Sequence, residues 1–309
     1  MSKNSLVVKD NALINASYSL EISEQRLILM AIVNARETGQ GITSDSALEV
    51  SANDYASQFN VTKETAYETL KQAVENLFHR QFTFTERYKE TKQFRKVKSR
   101  WVSRISYVEK FGILEITFAP DVVPLITRLE KHFTSYELKQ ISQLTSKYAV
   151  RLYEILIAWR TVKKTYLELA DFRDKIGLEP NEYQAMDNLK RRVLEPAISQ
   201  INKYTDLTVK YEQKKRGRTI VGFSFSFKEK PSLCVPKEKL NVVATEIYLT
   251  DKQIKYFANK LAHNVAFSNK YAEVGEEYSD LETRLEEKLT DKEFVKNIYE
   301  YLKLVGFEE

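Results

Sequence analysis

An internal repeat constrains the fold of this chain more than any other feature of its sequence. When the sequence is shifted by 119 residues, which places Leu48 on Leu167, it aligns with itself without gaps over about 30 positions. The match is mainly one of apolar type, and it includes Leu48-Glu49-Val50 on Leu167-Glu168-Leu169, Phe59 on Leu178, Tyr67 on Met186, Leu70-Lys71 on Leu189-Lys190, and Val74 on Val193. Each copy is therefore expected to fold into the same supersecondary unit.

Both copies predict the same order of elements: helix, strand, helix, turn, helix and β-hairpin. The predicted helices cover residues 23–34, 53–59 and 63–78 in the first copy, with Thr62 as N-cap of the last, and residues 147–159, 170–176 and 182–204 in the second, with Asn181 as N-cap of the last and a kink or break at Pro196. The predicted closing strands cover residues 82–84, 101–108 and 113–118 in the first copy, and residues 207–211 and 219–227 around a Lys-Lys-Arg-Gly-Arg turn in the second. This order is that of a winged helix. In this fold the second helix of the helix-turn-helix enters the major groove of DNA.

The chain length of 309 residues fits about two domains and an appendage. We expect a helix-rich α+β fold with two tandem winged-helix domains, over residues 1–135 and 136–230, and an acidic, mostly helical tail over residues 231–309. The tail is expected to be helical because apolar residues recur at helical spacing, at Leu281, Leu285, Leu289, Val295, Tyr299 and Leu302.

The residue inventory argues against most catalytic chemistry. The three histidines are isolated from one another and from the one cysteine, and no glycine is followed by lysine, as a P-loop requires. We therefore expect no catalytic residues, no metal site and no cofactor. A metal-dependent nuclease or relaxase is the enzyme alternative, with Asp171 and Asp174 as its candidate ligands, although both fit better as polar positions around Phe172.

A single cysteine and the lack of a long apolar stretch indicate a cytoplasmic protein without membrane contact.

The charge is distributed unevenly along the chain. Residues 1–230 hold 37 Lys and Arg against 28 Asp and Glu, a net charge of +9, whereas residues 231–309 hold 11 against 15, a net charge of −4. A basic body with an acidic tail is typical of nucleic-acid-binding proteins. The excess is concentrated in two wing segments, one with Arg95, Lys96, Lys98 and Arg100 and the other with Lys214, Lys215, Arg216 and Arg218.

The two predicted recognition helices differ in their outward faces. In the second copy Met186, Leu189 and Val193 form the core face, and the opposite side carries Gln184, Asp187, Asn188 and Arg191, with Lys190 and Arg192 at the flanks. Gln, Asn and Arg make bidentate contacts with bases, and flanking cations can contact phosphates. In the first copy the outward side is more acidic, with Thr65, Glu68, Gln72 and Glu75 and with Lys71 at the flank. The second copy is therefore the expected base reader, and the first a backbone clamp, a protein interface or both.

These features occur within motifs that resemble a known family, the plasmid replication initiators that bind iterons through two tandem winged-helix domains. The resemblance covers roughly residues 5–230 and rests on four segments in order: Leu6-Val-Val-Lys-Asp-Asn-Ala-Leu-Ile-Asn15, Leu20-Glu-Ile-Ser-Glu-Gln-Arg-Leu-Ile-Leu-Met30, Leu144-Thr-Ser-Lys-Tyr-Ala-Val-Arg-Leu-Tyr-Glu-Ile-Leu156 and Leu189-Lys-Arg-Arg-Val-Leu-Glu-Pro-Ala-Ile-Ser-Gln-Ile-Asn202. It implies base contacts by Lys190, Arg191 and Arg192, and also by Gln184 and Asn188.

The resemblance also implies a function and a set of partners. Such proteins bind direct repeats in double-stranded DNA at a plasmid origin, help to melt an adjacent AT-rich stretch and recruit the host replicative helicase machinery. Monomers initiate replication, whereas dimers formed through the first domain repress the initiator's own promoter. The alternative is a transcriptional regulator with the same double winged-helix architecture, and repeats beside the gene would decide between the two.

Overall fold

The computed structural model describes residues 5–39, 43, 45–89, 93–127, 133–230, 249–264, 267, 268, 271 and 278–307. Almost all described residues up to Lys230 belong to one compact unit, and those from Leu249 onward belong to a second. Within the described residues, no helix is both long and apolar enough to cross a bilayer.

The first half of the first unit contains a winged helix and an additional hairpin. Its elements are β1 (Leu6–Asp10), α1 (Asn11–Ile14), α2 (Ile22–Thr38), β2 (Leu48–Ser51), α3 (Ala52–Phe59), α4 (Lys63–Leu77), β3 (Gln81–Arg87), β4 (Phe94–Arg100), β5 (Val102–Val108), β6 (Ile113–Phe118), α5 (Val122–Thr127) and β7 (Phe133–Glu137). Strands β1 and β7 pair antiparallel across the expected domain boundary at residue 135.

The second half of this unit contains the other winged helix. Its elements are α6 (Lys139–Ser142), α7 (Lys147–Ile157), β8 (Lys164–Glu168), α8 (Leu169–Lys175), α9 (Met186–Leu189), a π-helical turn (Lys190–Leu194), α10 (Glu195–Tyr204), β9 (Leu207–Arg216) and β10 (Thr219–Glu229).

The two winged helices share one sheet topology. The strand order is β2-β6-β5 in the first and β8-β10-β9 in the second, so that in each the strand before the helix-turn-helix pairs with the last strand of the wing. Helices α3 and α4 occupy the same place in the first sequence copy as α8 and the α9–α10 segment do in the second. The predicted α+β fold with two tandem winged helices is confirmed.

Helix α4 forms where the sequence predicts it. The Thr62 hydroxyl accepts a hydrogen bond from the Thr65 backbone N–H, which satisfies one of the free donors at the helix N-terminus. Leu70 and Leu77 are fully buried and anchor the helix in the core. Burial of each such leucine contributes about 1.5–3 kcal/mol.

The corresponding helix of the second winged helix starts later than predicted. It begins at Met186, and its N-cap is Ala185, so the prediction that Asn181 caps it is wrong. The guanidinium of Arg173 donates hydrogen bonds to the backbone carbonyls of Tyr183 and Glu182, which holds this segment outside the helix. Such a tertiary contact has no signature in the local sequence.

The predicted kink at Pro196 takes the form of a π-helical turn. Proline has no N–H, and its ring clashes with the carbonyl four residues earlier in an α-helix. The chain widens over Lys190–Leu194, where the Glu195 N–H bonds to the Lys190 carbonyl, five residues earlier. The helix therefore continues through this point instead of breaking.

Most of the basic segment over residues 87–104 does not belong to the wing of the first winged helix, although Arg104 at its end lies in β5. Strands β5 and β6 form that wing, whereas β4 pairs with β3 in a sheet that has two strands among the described residues. The hairpin is held by the buried rings of Phe82, which packs against Trp101, and Phe84, which stacks on Phe82. The prediction that Arg95, Lys96, Lys98 and Arg100 lie on a wing is therefore wrong, because strand pairing is decided by long-range contacts.

A buried cluster of charges joins the two winged helices. The Glu154 carboxylate accepts hydrogen bonds from Lys9 Nζ at 2.6 Å, Tyr136 Oη at 2.6 Å, Arg151 Nη1 at 2.9 Å and Tyr18 Oη at 3.3 Å. Burial alone would raise the pKa of Glu154, but the positive charges of Lys9 and Arg151 outweigh it and lower the pKa to about 2. The carboxylate is thus ionised at neutral pH and forms an ion pair with each of the two buried cations.

Arg151 extends this cluster into the backbone on both sides. Its guanidinium donates to the carbonyls of Ile14 and Ala16 in the first half of the unit and to that of Lys175 in the second half. Next to it, the Ser17 hydroxyl donates to Asp174 Oδ1 at 2.7 Å. These polar contacts link the two winged helices in addition to the apolar core that they share.

The second unit has a helical core of its own. Its helices are α11 (Asp251–Ala262), α12 (Tyr278–Lys288), α13 (Lys292–Asn297) and α14 (Tyr299–Leu304). Leu281, Leu285, Leu289, Val295 and Leu302 are buried, as their spacing predicts, and Tyr299 is half-buried. The described part of the tail is therefore helical.

Candidate nucleic-acid interface

The α9–α10 segment of the second winged helix presents a basic outward surface. Leu189 and Val193 are buried, and Met186 is partly buried against them, as predicted. On the opposite side Asn188, Arg191 and Arg192 are exposed and Lys190 is half-exposed. The structure therefore brings together four of the five residues that the sequence predicts on this helix.

Gln184 is the exception among these five residues. It is exposed, but it lies two residues before the first residue of α9, in the turn that Arg173 holds. The prediction that it belongs to the outward face of the helix is therefore wrong. Gln184 is nevertheless close to Asn188 in the sequence, four residues before it.

Local contacts orient Arg191 on this surface. Its Nη2 donates to Asn188 Oδ1 at 3.3 Å and lies 4.0 Å from Asp187 Oδ2. Within the part of the chain that the structure describes, Lys190 and Arg192 have no ion-pair partner. Cations without a protein counter-charge are suited to neutralise phosphates.

The second wing also places its cations in solvent. Lys214, Lys215 and Arg216 belong to β9 and only Arg218 lies in the turn, so the prediction of a five-residue basic turn is wrong. The loop is only two residues long, and Gly217 occupies its first position at φ +61°. A tight hairpin requires such a positive φ, which glycine adopts without strain.

All four wing cations are exposed. Lys214 pairs with Glu212 at 3.3 Å, in a contact between exposed side chains that contributes little stability. Among the described residues, no carboxylate lies within 4 Å of Lys215, Arg216 or Arg218. The wing is therefore a surface of available positive charge.

The predicted cations of the first winged helix are more strongly engaged with the protein itself. Lys71 lies 3.6 Å from Glu109, Arg95 donates to Glu86 Oε1 at 2.7 Å, and Arg100 donates to the Phe78 carbonyl at 2.9 Å and covers the Phe78 ring. Strand periodicity places Lys96, Lys98 and Arg100 on one face of the hairpin and Arg95 on the other. Lys96 and Lys98 are exposed and, among the described residues, lack an ion-pair partner.

The structure also shows a cleft that sequence reasoning did not predict. It has a volume of about 590 Å³ and is lined from both winged helices by polar residues that include Ser17, Arg80, Lys98 and Arg173. Arg80 is paired with Glu24 at 2.9 Å and Arg173 is bound to backbone carbonyls, so both stabilise the fold here. Only long-range contacts bring these residues together, and the sequence carries no signal for that.

The candidate ligands of the nuclease alternative are engaged elsewhere. Asp171 pairs with Lys175 at 3.0 Å, and Asp174 accepts the hydrogen bond from Ser17. Within the described residues, no group of three or more His, Cys, Asp or Glu side chains could hold a metal ion. His132 and Cys234 lie outside the described residues.

Comparison with known proteins gives matches over both winged helices. Residues 6–157 match the sequence model of a family described as "Initiator Replication protein, WH1", and residues 168–227 match one described as "Initiator Rep protein, WH2". A "Replication initiation protein" of Escherichia coli is 29% identical over 219 residues, which are 69% of this chain and 66% of that protein. An "Uncharacterized 27.6 kDa protein" of the same organism is 26% identical over 239 residues, which are 75% of this chain and 98% of that protein.

A solved structure has the same fold. The crystal structure of the Pi initiator protein in complex with iteron DNA superimposes with a TM-score of 0.58 at 20% identity, over 74% of this chain and 99% of that one. At this identity the likeness concerns the fold, which is the pair of winged helices described above.

Proposed function

Since the chain belongs to the family of plasmid replication initiators with two winged-helix domains, we propose that it binds direct repeats in double-stranded DNA at a plasmid origin and thereby starts replication. The observation that carries this proposal is the basic surface of the second winged helix. Its outward helix face and its wing carry exposed cations at the two places where this fold contacts the major groove and the adjacent phosphates.

Each part of this surface has a separate role. Arg191 and Asn188 lie on the outward side of α9 and the π-helical turn, and their side chains can make bidentate contacts with guanine and adenine edges. Lys190 and Arg192 flank them and contact phosphates. Lys214, Lys215, Arg216 and Arg218 hold the DNA backbone from the wing.

The first winged helix has a supporting role in this proposal. Lys96 and Lys98 on the β3–β4 hairpin contact phosphates, together with Arg100 at the same face. Lys71 and Arg95 contribute less, because each already has a carboxylate partner on the protein. The first winged helix is thus a backbone clamp, and we also assign to it the self-association through which dimers repress the initiator's own promoter.

The later steps of the proposed function concern other partners. Binding to several adjacent repeats helps to open a neighbouring AT-rich stretch, and the protein then recruits the host replicative helicase machinery. A regulator of transcription with the same fold would bind DNA without these steps. Replication of a small circular DNA that depends on this chain and on adjacent repeats distinguishes the two functions.

The role of Arg191 can be tested by binding-site selection from random DNA. Arg191→Ala is expected to weaken specific binding by about 1–3 kcal/mol and to relax discrimination at one base position, because a bidentate contact is lost. The matched control is Lys139→Ala, which removes an exposed positive charge outside the proposed interface. A variant that selects the wild-type consensus at full affinity contradicts base reading by this helix.

A further inference from the structure

One acidic side chain lies in the middle of the basic surface. Asp187 follows the first residue of α9, its side chain is 80% exposed, and it is next to Asn188 and one turn from Arg191. The N-terminal residues of a recognition helix are those that reach base edges. A carboxylate is repelled by phosphates, so on a DNA-facing surface it binds favourably only where the bases offer hydrogen-bond donors.

The protein itself does not use this carboxylate strongly. The distance from Asp187 Oδ2 to Arg191 Nη2 is 4.0 Å, whereas Asn188 Oδ1 is closer to the same nitrogen at 3.3 Å. An ion pair of this length between exposed side chains contributes little to stability. The acceptor oxygens of Asp187 therefore remain available to a ligand.

The internal repeat places an acid at the same position in the first winged helix. The shift that puts Leu70 on Leu189 also puts Glu68 on Asp187 and Gln72 on Arg191. Glu68 is exposed and accepts a hydrogen bond from Gln72 Nε2 at 2.8 Å. Both helices thus present an acceptor one turn before a donor on their outward faces.

This pairing of acceptor and donor fits two neighbouring base pairs, one that presents guanine to the helix and one that presents cytosine. In the major groove guanine offers the acceptors N7 and O6, which arginine contacts, and cytosine offers its N4 amino group, which Asp or Glu accepts from. We propose that Asp187 is a base-reading residue that selects cytosine beside the base read by Arg191. The proposal rests on the proposed function, because it assumes that this helix enters the major groove.

The test compares Asp187→Asn in the full chain with Glu212→Gln. Glu212 is an exposed acid on the wing, so its variant removes the same charge from the same domain without touching the helix. Site selection from random DNA and titration of random duplexes are measured for both, with circular dichroism melts to confirm folding. Asp187→Asn is expected to bind random DNA more tightly but to lose at least about 5-fold in preference for cytosine at one position, where adenine becomes acceptable. Glu212→Gln is expected to bind random DNA more tightly with an unchanged consensus.

Two outcomes overturn the proposal. A wild-type consensus in Asp187→Asn shows that the carboxylate does not read a base. A loss at the same position that Arg191→Ala relaxes, with no effect on cytosine elsewhere, shows that Asp187 only orients Arg191. Failure of the proposed function is a separate result, since the wild-type chain would then select no consensus.

Discussion

The buried cluster around Glu154 offers a strong test of how the two winged helices are held together. In Glu154→Gln the cations Lys9 and Arg151 stay buried but lose their counter-charge. The side-chain amide nitrogen of the glutamine also replaces one carboxylate oxygen, so that hydrogen-bond donors face another donor where they now face an acceptor. Removal of one partner from a buried ion pair costs about 3–5 kcal/mol. The four hydrogen bonds that converge on this carboxylate, two of them at 2.6 Å, place the expected loss in the free energy of unfolding within that range.

Urea unfolding followed by tryptophan fluorescence measures this loss in the first unit. Both tryptophans of the chain, Trp101 and Trp159, belong to that unit, and Trp101 is fully buried. With a slope of about 3 kcal/mol per M urea, a loss of 3–5 kcal/mol lowers the midpoint by about 1–1.7 M. Glu49→Gln, a change of the same kind at an exposed position, is expected to stay within about 0.5 kcal/mol of wild type.

A double variant separates the charge from the other contacts. Addition of Lys9→Met removes one of the uncompensated cations, so the double variant should recover about 0.5–3 kcal/mol relative to the sum of the single variants. If the midpoint of Glu154→Gln lies within about 0.3 M of wild type, the cluster does not stabilise the unit and the reasoning is refuted.

Three further predictions concern the wing, pH and the second unit. Replacement of Lys214, Lys215, Arg216 and Arg218 by Ala should weaken specific and random binding alike and reduce the slope of log affinity against log salt by up to ~0.9 per lost phosphate contact; an unchanged slope means that the wing does not touch DNA. Because the folded-state pKa of Glu154 is about 2, below its usual 4.5, its stabilisation is complete above pH 4.5 and is lost as the pH falls toward 2; unfolding of Glu154→Gln should depend less on pH across this window, and equal profiles contradict the assignment. A chain that ends at Lys230 should keep sequence-specific binding, because the remaining residues carry a net charge of −4 and form a separate unit; specific binding lost while random binding persists would show that the second unit takes part in recognition.

The features that the sequence predicts correctly are those fixed by local pattern. The cap at Thr62 and the buried stripe with Leu70 follow from residue type and helical spacing, and the winged-helix order follows from the repeat of these patterns. The core face of the second recognition helix is also correct, since Leu189 and Val193 are buried.

The errors arise where distant segments decide the local structure. The sequence predicts that the basic β3–β4 hairpin is a wing, but β5 pairs with β6, because alternation within a strand does not specify its partner. The late start of α9 depends on Arg173, more than ten residues away from it, which binds the preceding turn.

The charge cluster illustrates the same limit. Lys9 and Glu154 were not predicted to be buried, because charged residues are mostly exposed unless they are paired. One sequence pattern does indicate that Glu154 is buried, since it lies in a helix whose other residues from Tyr148 to Ile157 are apolar apart from Arg151. A helix that is apolar on all sides is buried, and a charge within it then requires a partner.

Protection footprinting of the full chain on the DNA that flanks its gene tests the central claim most directly. A replication initiator that reads DNA through the second winged helix should protect several direct repeats in tandem, spaced by about two helical turns so that successive copies bind the same side of the duplex. The Arg191→Ala variant should lose this protection at the same protein concentration. Protection of a single inverted repeat within a promoter, or protection without sequence preference, would contradict the account.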